Sequence, residues 1–152
     1  MTNNDIFRKL RYILNYSNTE MKAVFSNMEH DVPSDRIHAW LKKDDDFAYR
    51  EITDHDLALF LNGLIVAFRG KRDGVLPPTE KVLNHNLTLR KLKIAFSLQA
   101  EDMLAIWALA KFRLSKHELS AFFRKPNHRH YRECKDQILR NFLQGMAIKH
   151  RQ

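Results

Sequence analysis

Residues 49–63 read YREITDHDLALFLNG, and residues 131–145, 82 positions further along, read YRECKDQILRNFLQG. In both stretches apolar side chains follow an aspartate at intervals of three and four residues, which is the pattern of a helix with one buried face. The same shift aligns residues 4–69 with 86–151 without a gap, and 17 of the 66 aligned positions are identical. The sequence therefore predicts one helical unit duplicated in tandem.

Each unit is predicted to consist of four helices. In the first unit we expect them near residues 5–14, near residues 19–28, from residue 34 and from residue 53 or 54, with Ser34 as the N-cap of the third. Bulky apolar side chains recur at the spacing of a helix face in both units. We therefore expect Trp40, Trp107 and the ten Phe in the core and not on base-stacking surfaces.

The connection between the units contains Gly74 and Pro77-Pro78, residues typical of a linker. The predicted fold is all-α, with a first helical repeat at 1–70, a linker at 71–85 and a second repeat at 86–152. A lone unit would bury only about 60% of its unfolded surface, whereas a globule of about 150 residues buries about 68–70%. We therefore expect the two four-helix units to pack into one globule with pseudo-twofold symmetry.

Five short stretches are distinctive: Asn4-Asp5-Ile6, Arg8-Lys9-Leu10-Arg11, Ala39-Trp40-Leu41-Lys42-Lys43, Phe60-Leu61-Asn62-Gly63-Leu64 and Tyr131-Arg132-Glu133-Cys134. Through them the chain resembles the YehS family of small bacterial proteins over nearly its whole length, including the duplication. The resemblance implies the duplicated helical fold and a bacterial cytoplasmic setting, and it implies no catalytic residues.

Other features of the sequence also favour the cytoplasm. The single Cys134 excludes an internal disulfide and fits a reducing compartment. Residues 1–10 place charges where a signal peptide needs an apolar core. The longest apolar run, residues 57–68, is interrupted by Asn62 and Gly63 and is shorter than the roughly 20 residues of a membrane span. We expect no membrane partner.

The net charge of +8 is unevenly distributed. Residues 1–76 contain 11 Lys+Arg and 12 Asp+Glu, whereas residues 77–152 contain 15 and 6. A one-sided positive field attracts polyanions, so DNA or RNA is the predicted partner. The candidate phosphate-binding residues are the cations of the second repeat: Arg90, Lys91, Lys93, Lys111, Arg113, Lys116, Arg124, Lys125, Arg129 and Arg132.

Two patterns among these residues have an ordinary structural alternative. The helix pairs within residues 19–43 and 101–125 are compatible with a helix-turn-helix, but neither turn contains Gly, and any all-helical protein has such pairs. The cluster Arg8, Lys9 and Arg11 recurs as Arg90, Lys91 and Lys93. It is compatible with a paired phosphate clamp, and also with a solvated helix face.

The remaining candidate sites favour structural roles. The triplet Tyr49-Arg50-Glu51 recurs as Tyr131-Arg132-Glu133, and we expect Tyr to pack on the core while Arg and Glu pair or cap the backbone. His128, His130 and Cys134 offer three metal ligands where a structural zinc site needs four, so we predict no metal and no cofactor. Basic neighbours are compatible with a lowered pKa of the Cys134 thiol, although a lone thiol of this kind is usually inert.

No phosphate-binding Gly-rich loop, Gly-x-Ser-x-Gly or His-Glu-x-x-His occurs in the sequence, so we do not predict an enzyme. The leading hypothesis is a non-enzymatic accessory or regulatory protein that binds nucleic acid through the second repeat. The alternative is a protein-interaction module, in which the first repeat of one chain pairs with the basic repeat of another to form a homo-oligomer or hetero-complex.

Overall fold

The computed structural model describes residues 1–151, which form eight α-helices and no β-strand. The helices are α1 Asn3–Leu14, α2 Asn18–Ser26, α3 Ser34–Leu41, α4 Asp54–Arg69, α5 His85–Ala95, α6 Ala100–Leu109, α7 Lys116–Ala121 and α8 Asp136–Arg151. The prediction of an all-α fold is confirmed.

The chain forms two compact units, Met1–Leu83 and the residues from Asn84 onward. In the first unit, α2 packs against α3 and α4, and α1 also contacts both of those helices. In the second unit, α6 packs against α7 and α8, and α5 contacts α8. The contact of α2 with α4 corresponds to that of α6 with α8 under the 82-residue shift. The prediction of two tandem helical units is confirmed.

Most helices begin at a residue whose side chain caps the backbone. Ser17 Oγ accepts a hydrogen bond from the N–H of Glu20 (3.1 Å), whose carboxylate accepts one from the N–H of Ser17 (3.0 Å). The predicted cap of the third helix was wrong. Pro33 is the N-cap of α3 and Ser34 its first residue, with no side-chain hydrogen bond at the cap. The proline ring restricts φ to −59° and so directs the chain into the helix without a side-chain acceptor.

Two glycines allow the second and fourth helices of each unit to approach closely. A Cβ atom added to Gly63 in α4 would overlap the backbone carbonyl oxygen of Val24 in α2. One added to Gly145 in α8 would overlap the carbonyl oxygen of Ile106 in α6. A helical carbonyl can move away only if the helix moves with it, so these positions require the residue without a Cβ.

A buried asparagine at the start of the first helix joins three segments of each unit. Asn4 Nδ2 donates to the carbonyl oxygens of Trp40 (3.0 Å) and Arg50 (2.8 Å), and Asn4 Oδ1 accepts from the N–H of Ile52 (3.0 Å). Asn86 makes the same three hydrogen bonds with the residues 82 positions further on: Phe122, Arg132 and Cys134. This repeated side chain attaches the first helix to the end of the third helix and to the segment before the fourth.

The sequence pattern predicted that Trp40, Trp107 and the ten Phe all lie in the core, but some of these aromatic residues are exposed. Trp40 and Trp107 are buried, at 2% and 0% exposure, as are Phe7, Phe25, Phe60, Phe122 and Phe142. Phe47, by contrast, is 98% exposed in the turn that follows α3, and Phe68 is 42% exposed near the end of α4. Phe96, Phe112 and Phe123 are half-buried. The expectation that all ten Phe are core residues was therefore wrong.

The segment after α4 is hydrogen-bonded to that helix. Pro78 O accepts from Asn62 Nδ2 (3.2 Å), and the N–H of Leu83 donates to Asp54 Oδ2 (2.9 Å). The next helix, α5, begins at His85, the last residue of the predicted linker. Residues 71–83 therefore belong to the first compact unit.

Helix α4 contains eight consecutive buried residues, from Leu57 to Leu64. Its 16 residues are fewer than the roughly 20 that cross a bilayer. Within residues 1–151, no helix has both the length and the apolar character that a membrane span requires.

Candidate functional site

The positive charge of the chain is concentrated in the second structural unit. Residues 1–83 contain 12 Lys+Arg and 13 Asp+Glu, whereas residues 84–152 contain 14 and 5, so the net charges are −1 and +9. The structure distributes the ten predicted cations among an open pocket, an aromatic cluster, two ion pairs, a loop and one buried position.

Lys111 and Arg113 line an open pocket of about 300 Å³ beside the end of α6. The other lining residues are apolar: Leu104, Ala108, Phe112 and Leu114. Both cations are exposed, and neither forms an ion pair within residues 1–151. The pocket therefore combines apolar walls with two positive charges available to an anion.

Arg90 and Lys93 lie on α5 beside the half-buried ring of Phe123. Arg90 Nη2 donates to the carbonyl oxygen of Phe123 (2.7 Å), and the guanidinium carbon lies 5.8 Å from the ring centroid. Lys93 Nζ lies 5.9 Å from the same centroid. The three residues form a cationic surface supported by an aromatic ring.

Two of the predicted cations form surface ion pairs. Lys116 Nζ lies 3.2 Å from Glu101 Oε1, and Arg132 Nη1 lies 3.0 Å from Glu118 Oε2. The pKa of Glu118 is lowered by the backbone N–H of Ser115 and by the hydrogen bond from Arg132. Exposed pairs of this kind contribute little to stability, so both cations can exchange their carboxylate for another anion.

The loop after α7 contains the remaining exposed cations. Lys125 and Arg129 are exposed, and Arg129 Nε donates to His130 Nε2 (3.1 Å). Arg124 is half-buried, and within residues 1–151 its buried Nε has no hydrogen-bond partner. Lys125 is in no ion pair within the described part of the chain.

Lys91 is not one of the exposed cations of the second unit, since only 6% of the residue is exposed. Its inclusion among the phosphate-binding residues was wrong. Thr88, Lys91 and Ala95 form a second buried stripe along α5, beside the stripe that contains Leu89 and Leu92. Apolar periodicity reveals only the stripe that contains Leu89 and Leu92, because the stripe that contains Thr88 and Lys91 is partly polar.

The helix pairs that suggested a helix-turn-helix are present as α2–α3 and α6–α7. The second helix of the basic repeat, α7, has six residues and is therefore only about 9 Å long. Phe122 and Phe123 follow its last residue. A DNA-reading role for these pairs stays a prediction.

The Tyr-Arg-Glu triplets form part of the segment that Asn4 and Asn86 hold. The N–H of Arg50 donates to the carbonyl oxygen of Ala39 (3.3 Å), and the N–H of Arg132 donates to that of Ala121 (3.1 Å). Tyr49 and Tyr131 are half-buried, and both Glu51 and Glu133 are exposed. The side chain of Arg50 donates to the carbonyl oxygen of Tyr49 (2.8 Å), whereas that of Arg132 pairs with Glu118. The arginine contacts agree with the expected structural role, whereas the side chains of Glu51 and Glu133 form no hydrogen bond or ion pair within residues 1–151.

Cys134 is 2% exposed, whereas the loop that carries His128 and His130 is solvent-exposed. Burial raises the pKa of the Cys134 thiol to about 12, which is opposite to the lowering that its basic neighbours suggested. His128 Nδ1 accepts a hydrogen bond from the N–H of His130 (3.0 Å). Residues 1–151 contain no group of three or more His, Cys, Asp or Glu side chains suited to a metal ion.

Comparison with known proteins places the duplication in a family. The family model described as a protein of unknown function, DUF1456, matches residues 3–70 and matches again at residues 85–152. The chain belongs to the DUF1456 family. It is 41% identical over 151 residues to the uncharacterized protein YehS of Escherichia coli (strain K12), covering 98% of this chain and 96% of the relative. The predicted resemblance to YehS is confirmed. No solved structure gives a significant match.

Sequence reasoning missed the half-exposed aromatic residues beside the cations of this DUF1456 chain. The order Lys111-Phe112-Arg113 alternates charge with an aromatic ring, which is a signal of an exposed site. Its counterpart in the first unit, Glu29-His30-Asp31, differs at all three positions. A comparison of the two repeats at non-identical positions identifies the pocket residues, whereas the identical positions include both buried residues, such as Leu57, and exposed ones, such as Lys43.

Proposed function

We propose that this DUF1456 protein is a non-enzymatic, cytoplasmic accessory factor that binds the phosphate backbone of nucleic acid through its second helical repeat. The observation that carries the proposal is a set of exposed cations, Lys111, Arg113 and Lys125, without acidic partners among residues 1–151, in a unit of net charge +9. Free cations of this kind can replace the counterions condensed on a polyphosphate chain.

The first repeat supports the proposal by contrast. Glu29 and Asp31 occupy the positions of Lys111 and Arg113, and both acids take part in ion pairs, with Lys71 (4.0 Å) and Lys22 (3.6 Å). The first unit as a whole has a net charge of −1. Two units with the same helices differ in the property that determines affinity for a polyanion.

Fluorescence anisotropy of the full chain with labelled DNA and RNA tests the proposal. If about four phosphates of a duplex are contacted, affinity falls roughly 100-fold between about 50 and about 200 mM salt. The variant Lys111→Ser, Arg113→Ser, Lys125→Ser, Arg129→Ser removes four exposed cations of the second unit, and we expect it to lose most of this salt dependence.

The first unit offers a control of equal charge. The variant Arg36→Ser, Lys42→Ser, Lys43→Ser, Arg72→Ser also removes four exposed cations, and we expect it to retain most of the wild-type affinity. Absence of binding at about 50 mM salt, or equal losses in the two variants, contradicts the proposal.

A specific feature of the first unit favours the alternative, a self-associating module. Phe47, at 98% exposure, follows Asp44, Asp45 and Asp46 in an exposed turn, and Arg129 occupies its position in the second unit. An acidic turn with an exposed ring is suited to contact a basic surface on another chain.

Light scattering without nucleic acid distinguishes the two functions. Under the alternative, the protein forms a complex that salt weakens, and Arg124→Glu with Lys125→Glu abolishes it. Under the proposed function, the same double variant loses nucleic-acid affinity while its oligomeric state is unchanged.

A further inference from the structure

The pocket beside α6 is formed by the way in which that helix ends. The N–H of Lys111 donates to the carbonyl oxygen of Ala108 (2.9 Å), and the N–H of Phe112 donates to that of Trp107 (3.0 Å). Lys111 has a φ of 59°, in the left-handed region, which completes a Schellman motif. The chain therefore reverses immediately after the helix, and Phe112 and Leu114 face the same cavity as Leu104 of α6.

The first unit has the same backbone motif without the same surface. Glu29 has a φ of 55°, and the N–H of His30 donates to the carbonyl oxygen of Phe25, so the turn is equivalent. There, Lys22 Nζ lies 3.6 Å from Asp31 Oδ1. In the second unit the corresponding residues are Leu104 and Arg113, which cannot form such a pair.

The electrostatics of the second unit's pocket favour an anion. The C-terminal end of a helix carries a partial negative charge of about half an elementary charge, spread over its last carbonyl groups. Lys111 and Arg113 contribute two full positive charges at the rim, and no carboxylate lines the cavity. The positive charges dominate, so an anionic group at the rim is stabilised, while the apolar side chains of the lining can accept the face of a flat ring.

A nucleotide combines these two properties in one molecule. We propose that the pocket of Leu104, Ala108 and Lys111–Leu114 binds an unpaired nucleobase against Phe112, with the adjoining phosphates at Lys111 and Arg113. The inference rests on the proposed function and specifies its substrate as single-stranded nucleic acid. The volume of about 300 Å³ accommodates one base, and the open mouth allows the strand to enter and leave.

Base pairing determines which nucleic acids can use the pocket. In a duplex the bases are stacked and only their edges are accessible in the grooves, so the cations can contact phosphate but Phe112 cannot meet a base face. In a single strand the base can rotate outward and stack on the ring. The second repeat should therefore bind a single strand more tightly than a duplex of the same sequence.

Anisotropy with the full chain tests this preference, using labelled oligothymidine of about 12 nucleotides and its duplex with oligoadenosine. Phe112→Leu removes the ring and keeps an apolar side chain. We expect it to weaken single-strand binding roughly 5- to 150-fold, the range for loss of one stacked base, and to leave duplex binding unchanged.

A second variant keeps the test decisive if Phe112→Leu fails to fold. Ala108 is exposed on α6 and lines the pocket, so Ala108→Leu narrows the pocket without changing charge. Its matched control is Ser26→Leu, the equivalent exposed position of the first unit. We expect Ala108→Leu to weaken single-strand binding selectively and Ser26→Leu to have no effect.

The outcomes separate the inference from the proposed function. If single strand and duplex bind equally, or if the pocket variants leave a single-strand preference unchanged, the base pocket is disproved and phosphate binding stands. If the pocket variants weaken both nucleic acids equally, the base pocket is also disproved. If the chain binds neither nucleic acid at about 50 mM salt, both ideas fail together.

Discussion

Asn86 shows how a single side chain determines the local structure of a unit. Its amide makes three hydrogen bonds in a buried position, to the carbonyl oxygens of Phe122 and Arg132 and from the N–H of Cys134. Because Asn86 is buried, removing its amide leaves two carbonyl oxygens and one N–H without a hydrogen-bond partner. Each such group costs about 1–3 kcal/mol.

We therefore expect Asn86→Ala to lower the free energy of unfolding by about 3 kcal/mol, measured by urea denaturation. Asn127→Ala is the control, since Asn127 is exposed in the loop after α7. A loss for Asn86→Ala no larger than that of the control would contradict the structural role assigned to this side chain.

Residue-scale burial was only partly predictable from the sequence. Apolar periodicity correctly identified Trp40 and Trp107 as core residues. It could not identify Phe47 as exposed, because that residue lies in a turn where helical periodicity does not apply. It could not identify Lys91 as buried, because the long apolar stem of lysine allows burial that hydropathy does not indicate.

At the scale of elements, the contact between the second and fourth helices depends on one glycine per unit. Gly145→Ala should lower the free energy of unfolding by about 3 kcal/mol, because the added methyl group overlaps the carbonyl oxygen of Ile106 and α6 must move away from α8. This cost exceeds the roughly 1 kcal/mol that alanine gains over glycine in a helix.

Urea denaturation measures this effect, with Gln137→Ala on the exposed face of α8 as the control. Gly63→Ala should show the same destabilisation at the equivalent contact of the first unit. In a helix interior without a close neighbour, replacing glycine by alanine is expected to stabilise the protein. If Gly145→Ala has that effect, it contradicts the close approach of α6 and α8 at this position.

The helices themselves were largely predictable, because each carries an apolar stripe at helical spacing and the duplication gives two independent readings of it. The ends were less predictable. Ser34 follows a proline that already restricts the backbone, so its capping side chain is not used. Helix α7 ends before Phe122, and the apolar pattern continues past that end because Phe122 is still buried in the following turn.

At the scale of the whole molecule, duplication separates the contacts that both units share from the pocket residues in which the two units differ. The identical positions include Asn4 with Asn86 and Gly63 with Gly145, whose structural contacts are the same in both units. The candidate site could not be predicted from these positions. Its residues, Lys111–Leu114, are those in which the second unit differs from the first.

The two units thus provide an internal comparison for the central claim, that nucleic acid binds the second repeat alone. The most direct measurement is the amide NMR spectrum of the full chain during titration with a short single-stranded oligonucleotide. We predict chemical-shift changes at residues 111–114 and at Lys125, with the equivalent residues 29–32 and Lys43 unchanged. Equal changes in both repeats, or none in either, would contradict the account.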